Sequence, residues 1–334
     1  MSALLEIQGL RVSVPYDGGL REVLRRVDLS VNPGESVGLV GESGSGKSMT
    51  ARTVLRLLPR GARVEGSVRF DGRDVLQMSS SELRAFRASH AAIIFQDPQA
   101  HTNPLRTVGD LLTEGLRLNQ HLPKRASEER ACELLGAVGV ENPRARLSQY
   151  PHELSGGLLQ RVMIAAALAA EPRLLLADEP SSALDVTTQA EVMAILAELR
   201  ERLGLALLLI THDLELAAAM CDRTAVMYAG SIVEVRRSVD LHDRPLHPYT
   251  EGLLGARPSV HTRLPRLPVI PGRPMAAFEA PDGCAFAPRC RHALPRCTAE
   301  RPVLAPLGRG MVACLRAADL HPHEPAGRGD ADRG

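Results

Sequence analysis

The sequence has no tryptophan, and aromatic residues make up only 3% of its 334 residues. A platform for single-stranded nucleic acid stacks bases on exposed aromatics beside basic residues, and the formal net charge of +1 supplies no basic footprint either. No nucleic-acid partner is therefore expected. Long apolar stretches are missing too: no run reaches the ~18 to 20 residues that a membrane span requires. The opening MSALLEIQGL lacks the basic region and apolar stretch of a secretory signal. The chain is expected to stay in the cytosol and to reach a membrane only through a partner. Cysteine is sparse, yet four of the six, Cys284, Cys290, Cys297 and Cys314, crowd the last fifth of the chain. In a reducing compartment such a group reads as metal ligands sooner than as disulfides.

With 44% hydrophobic and 24% charged residues, the chain has ordinary globular usage. Apolar runs at Leu4–Ile7, Leu10–Val14, Val37–Val40, Val64–Phe70 and Ala91–Phe95 read as strands. A helical pattern follows Gly46 and continues from Ala51 to Leu58, where Pro59 stops it. From about 97 to 160 helices and loops replace strands, with Ala131, Leu134, Leu135 and Val138 on one helix face and Gly139 near its stop. Strand-like runs return at Leu174–Ala177, Leu205–Ile210 and Thr224–Tyr228, with a helix from about Val186 to Leu203 and Gly204 as its C-cap. Alternating strands and helices predict an α/β fold with a largely parallel sheet. Beyond Arg236 the chain is rich in Pro, Arg and His with few elements expected, and the last dozen residues, HEPAGRGDADRG, are expected to be disordered.

The chemistry is concentrated in a few short segments. Gly41-Glu42-Ser43-Gly44-Ser45-Gly46-Lys47-Ser48 fits a phosphate-binding P-loop between a strand and a helix. Its backbone N–H groups and the helix N-terminus would cradle phosphates, Lys47 would reach the β- and γ-phosphates, and Ser48 would hold Mg²⁺. At Leu174-Leu-Leu-Ala-Asp178-Glu179 an apolar strand ends in two carboxylates. The first suits Mg²⁺ and the second an attacking water. Leu154-Ser155-Gly156-Gly157 at a helix start is a second anion cradle. Two phosphate cradles in one chain suggest a nucleotide gripped from two sides.

With these motifs in this order, the sequence resembles the ABC ATPases over nearly its whole length. The resemblance implies an α/β P-loop NTPase core (1–235) with an antiparallel β part, a helical insertion subdomain at about 97–160, and a small irregular C-terminal module (236–334). It implies an ATPase coupled to transport, with ATP sandwiched between one subunit's P-loop and the other's Ser155-Gly156-Gly157 loop. Gln96, in IIFQDP, matches the Q-loop, a γ-phosphate sensor and Mg²⁺ ligand with Ser48 and Asp178. Asp185 matches the D-loop, or else caps the next helix. His212, in LLLITHD, matches the switch histidine, so that Glu179, His212 and Gln96 form the catalytic group. Tyr16 is the candidate for stacking on adenine, with Val14 as the alternative. One departure stands out: Leu158 and Leu159 follow the signature glycines, and two leucines cannot hydrogen-bond a nucleotide.

YPHELSGG, MYAGSIVE, PLHPYTEGLL and GCAFAPRCRHALPRC further resemble the ATPase subunits of oligopeptide, dipeptide and nickel importers. The resemblance implies import of oligopeptides or dipeptides, the alternatives being nickel or another small solute, or a non-transport ABC ATPase. It also implies a second, related but different ATPase subunit, two membrane permeases, an extracytoplasmic solute-binding protein, and a peripheral place on the cytoplasmic face of the inner membrane. The tail cysteines, spaced C-x₅-C-x₆-C-x₁₆-C, lack the close pairs of a structural zinc site. A [4Fe-4S] cluster, zinc, or reduced unliganded thiols remain open, with the cluster ahead of zinc. Replacing one cysteine is expected to loosen the tail and leave the P-loop's nucleotide affinity largely intact.

Overall fold

The structure is a computed structural model and describes residues 2–182, 184–256 and 269–324. Of the tail expected to be disordered, 325–334 lie outside the described residues. In chain order the described elements begin with β1 (Leu5–Tyr16), β2 (Gly19–Val31), β3 (Ser36–Val40), α1 (Lys47–Val54), β4 (Arg63–Phe70), β5 (Arg73–Asp74), α2 (Ser80–Ser89) and β6 (Ala91–Ile94). The middle of the chain holds α3 (Val108–Asn119), α4 (Lys124–Ala137), α5 (Pro143–Arg146), α6 (Gly156–Leu168), β7 (Leu174–Asp178), α7 (Val186–Leu203), β8 (Ala206–Thr211), α8 (Leu214–Met220), β9 (Arg223–Tyr228) and β10 (Ser231–Arg237). The tail adds α9 (Ser238–Asp243), α10 (Pro248–Gly255), α11 (Pro295–Ala299), β11 (Ala305–Leu307), β12 (Gly310–Val312) and α12 (Ala317–Leu320).

The chain divides into two compact units. One comprises Met1–Leu5, Val31–Glu35 and Phe70–Ile210. Its parallel strands β6, β7 and β8 run in register, Ala91 beside Leu174 and Leu174 beside Ala206. Every residue of β7 and β8 is buried, which is why both read as unbroken apolar runs rather than alternating ones. The expected helical insertion is present as α3, α4, α5 and the start of α6. Ala131, Leu134, Leu135 and Val138 are all buried, as their spacing required. Helix α7 begins at the Asp185 cap and stops at Gly204, matching the expected bounds. Among the described residues no helix is long and apolar enough to cross a membrane.

The other unit comprises Glu6–Ser30, Ser36–Arg69 and Thr211–Gly334. Its mixed sheet runs β4-β1-β2-β10-β9-β3. Strands β3 and β9 pair in parallel, whereas β9 and β10 pair antiparallel, with a register shift between Ile232 and Glu234. Two expectations change here. Apart from Leu4, the runs 4–7 and 10–14 belong to one long strand, β1, whose Gly9 N–H donates to Asp28 of β2 at 2.7 Å. The turn Asp17-Gly18 holds positive φ at both residues and folds β2 back along β1. Helix α1 ends at Val54, well before Pro59, because Arg56 turns left-handed. The Arg56 and Leu57 N–H groups then donate to Thr53 and Arg52 carbonyls, closing the helix.

The tail joins this same unit. Strand β12 pairs with β10, Glu234 opposite Val312, and β11 pairs with β12. Tyr249 and Phe286 sit in one apolar cluster with Val40, Val226 and Tyr228. A segment poor in apolar periodicity thus acquires order by adding a strand and a few large rings to a core built elsewhere in the sequence.

Candidate nucleotide site

The P-loop leaves the fully buried strand β3 at Val40 and enters α1 at Lys47. Its first residue lies so close to β9 that a Cβ on Gly41 would stand 2.2 Å from the Met227 carbonyl oxygen. Only glycine fits there. Helix α1 has Gly46 at its N-cap and no capping side chain, and a helix N-terminus of this kind suits an anion. Lys47 is buried and folds back, Nζ donating to the Gly41 and Glu42 carbonyls at 2.8 and 3.1 Å. Ser43 and Gly44 are exposed at the loop tip, while Ser45 is buried and its carbonyl accepts from Gly230 N–H. Ser48 sits half-buried in the first turn of α1.

Glu42 is held from the tail. Its N–H donates to the Tyr249 hydroxyl at 2.9 Å, and its carboxylate accepts two bonds from Arg289 at 2.7 and 3.1 Å. The HPYT segment explains this reach residue by residue. Buried His247 caps α10, its Nδ1 accepting from Tyr249 N–H at 3.0 Å, and Pro248 takes the first helical position where no N–H is needed. The carboxylate of buried Glu234 on β10 accepts from the Leu246 and His247 N–H groups at 2.7 and 2.9 Å. Burial pushes the Glu234 carboxyl above the usual range and drives His247 down to about 3, so the imidazole is neutral. Sequence reasoning took HPYT as a group marker and missed Glu234, Tyr249 and Arg289. The His-Pro pair before an apolar stretch was a legible helix start, but no local pattern points from Arg289 to residue 42.

In the other unit, β7 delivers Asp178, buried at its end, and Glu179 follows with φ 44. A non-glycine residue in this region costs about 1 kcal/mol or more, and here the Glu179 N–H donates to the Ile210 carbonyl at 2.9 Å. Gln96 Nε2 donates to Glu179 Oε2 at 3.0 Å, so the structure brings these two predicted residues together. The signature serine, Ser155, caps α6 by accepting from Leu158 N–H at 3.3 Å. Gly156 is exposed, and a Cβ on Gly157 would meet Thr188 Cγ2 at 2.4 Å, so the loop lies tightly against α7. Leu159 is fully buried and Gln160 is 2% exposed, leaving half-buried Leu158 as the apolar residue beside the cradle. Arg161 is tied to the Val138 carbonyl and to Glu191 at 3.1 and 2.6 Å.

Asp185 does cap a helix: it accepts from Thr188 N–H at 3.0 Å and Thr188 Oγ1 at 2.8 Å, and these bonds hold its carboxyl below the usual range. His212 follows β8 and is exposed. Tyr16, 56% exposed at the end of β1, already carries the Arg21 guanidinium 3.6 Å from its ring centroid. A base stacking on Tyr16 would need its other face.

The four tail cysteines form no disulfide. They lie within electrostatic reach of one another, Cys284 sensing Cys314 and Cys297, and Cys290 sensing Cys297. Burial pushes the Cys284 thiol up to about 11. Among the described residues no three His, Cys, Asp or Glu side chains are gathered as for a metal ion, and this holds for the cluster expectation as for zinc.

Two family models match: ABC transporter over residues 24–182, and oligopeptide/dipeptide transporter, C-terminal region, over residues 233–297. The oligopeptide transport ATP-binding protein OppD of Escherichia coli (strain K12) is 42% identical over 317 residues, covering 95% of this chain and 94% of that protein. The dipeptide transport ATP-binding protein DppD of Bacillus subtilis (strain 168) is 41% identical over 299 residues, 89% of each. Among solved structures, a dimeric ATP-binding cassette in a post-hydrolysis state bound to ADP and Pi matches with TM-score 0.63 and 28% identity, over 70% of this chain and 98% of that one. The chain therefore belongs to the ATP-binding proteins of the ABC transporter family, in the group that carries the oligopeptide/dipeptide transporter C-terminal region.

Proposed function

We propose that this chain binds and hydrolyses ATP to power the import of oligopeptides or dipeptides through membrane permeases. The observation that carries the reading is the joining of an ABC cassette and the peptide-transporter C-terminal region in one chain. Hydrolysis of ATP is the activity of the family to which the chain belongs.

Residue roles follow the motifs. The phosphates settle on the N–H groups of 41–46 and the start of α1, and Lys47 exchanges the Gly41 and Glu42 carbonyls for the β- and γ-phosphates. Ser48, Asp178 and Gln96 offer only hydroxyl, carboxylate and amide oxygens, a hard donor set that suits Mg²⁺. When bound, the ion neutralises charge on the phosphates. Glu179, released from Gln96, accepts the proton of the attacking water, and His212 contacts the γ-phosphate. The Ser155-Gly156-Gly157 cradle and Asp185 serve the facing subunit in a head-to-tail pair. Leu158 favours a heteromeric pair, because a different partner can supply an ordinary signature to the P-loop of this chain. Residues 1–235 act as the ATPase domain, with 97–160 receiving the permease on the cytoplasmic face of the inner membrane, and 236–334 as the tail module. A solute-binding protein outside would deliver the peptide.

The cysteines Cys284, Cys290, Cys297 and Cys314 are read as holding an iron–sulfur cluster. Support comes from the four thiols lying close enough in one segment to act on one another, Cys284, Cys290 and Cys314 each with Cys297, since four cysteine thiolates are the ligand set of such a cluster. Such a group would contribute folding energy to the tail.

The test is transport of a labelled oligopeptide by vesicles holding the chain with its permeases, its second ATPase and a binding protein. ATP-dependent uptake of peptide is expected, and uptake of nickel but not peptide would replace the substrate assignment. Iron and sulfide content after anaerobic purification decides the cluster. A stoichiometric absence of both would remove it.

A further inference from the structure

Glu42 is the second residue of the P-loop, and both of its polar ends are held by side chains more than 200 positions away, Tyr249 and Arg289. Arg289 grips the carboxylate with two parallel bonds, a geometry that suits guanidinium and no other cation. The guanidinium is itself fixed, Nε donating to the Pro271 carbonyl at 2.8 Å and Cζ lying 5.8 Å from the Tyr228 ring centroid. Its side chain is 5% exposed and that of Glu42 is 21% exposed, so the pair is only weakly screened by solvent. Tyr249 is fully buried, its ring 4.6 Å from Tyr228 and 5.4 Å from Phe286, in the cluster that includes Val40.

A carboxylate in a loop that receives polyphosphate opposes its ligand, because like charges repel and a partly dry site strengthens the repulsion. We propose that Arg289, together with Tyr249, is a positioning residue for nucleotide: it cancels and immobilises Glu42, so the P-loop binds the phosphates of MgATP well only while the tail is docked. This rests on the reading of residues 41–48 as the ATP site. Arg289 directly precedes Cys290 and follows Cys284 in the same short segment. On this proposal, loosening of the cysteine segment is transmitted to nucleotide affinity, an outcome opposite to the sequence expectation that cysteine replacement leaves that affinity largely intact.

The proposal predicts that breaking one ion pair from its two sides has opposite effects. With the full chain and a non-hydrolysable MgATP analogue in titration calorimetry, Arg289→Gln is expected to weaken binding roughly tenfold. Glu42→Gln should bind at least as tightly as wild type, and the double variant should return to within about threefold of it. A clamp that merely holds the fold would weaken binding from either side. That outcome, or unchanged binding by Arg289→Gln, overturns the proposal. Should Arg289→Gln fail to fold by circular dichroism, Arg289→Lys replaces it, with a loss of about threefold and the same rescue by Glu42→Gln expected. A wild-type chain that binds no analogue would instead remove the ATP-site reading, and this inference with it.

Discussion

Acidification should loosen this protein through one buried imidazole. His247 is 2% exposed, and its Nδ1 accepts from the Tyr249 N–H, so a second proton has no place in the folded state. Its folded value is about 3 against an ordinary 6.5. Between these two values the unfolded chain binds more protons than the folded one, so stability falls as pH drops. The contribution is fully present above pH 6.5. It shrinks by about 1.4 kcal/mol at pH 5.5 and about 2.7 kcal/mol at pH 4.5. Glu234, whose burial raises its carboxyl, contributes a slope of the opposite sign. The comparison is therefore with His247→Asn, which caps a helix without titrating and leaves Glu234 in place. Urea denaturation at pH 7.5 and 5.5, followed by circular dichroism, should show wild type losing about 1.4 kcal/mol more than the variant. Parallel losses in the two proteins would refute the reasoning.

Three further outcomes follow from other parts of the site. Glu179→Gln should retain ATP binding while slowing hydrolysis at this chain's P-loop by ~10² to 10⁴, measured with the partner's own site disabled; unchanged turnover would remove Glu179 as the base. Leu158→Gln should alter nucleotide held by the partner's P-loop and not that held by Lys47, which site-specific nucleotide trapping separates. Gly157→Ala should cost about 1–3 kcal/mol by driving a methyl into Thr188. Thr188→Ser, which removes Cγ2 and keeps the hydroxyl bond to Asp185, should recover most of that loss, as thermal denaturation of the double variant would show.

The sequence alone was enough for features whose physics is local or repetitive. The P-loop announces itself because eight consecutive residues must curl around phosphates, and α7 because a capping aspartate, a helical run and a stopping glycine follow in order. Buried parallel strands show as unbroken apolar runs, so β7 and β8 were found within one residue. Tertiary structure decided what depends on partners distant in sequence. The continuity of β1 across Gly9 rests on Asp28 of the neighbouring strand, and the early end of α1 on a left-handed Arg56 rather than on Pro59. It turned the HPYT segment from a marker into a bracket, with Glu234 beneath it and Glu42 above it. Arg289 stands between two cysteines in an arginine-rich stretch, and nothing in its neighbourhood distinguishes it from Arg291. Only folding brings its guanidinium to a carboxylate 247 residues earlier, because an ion pair depends on distance in space and leaves no periodic trace in the chain.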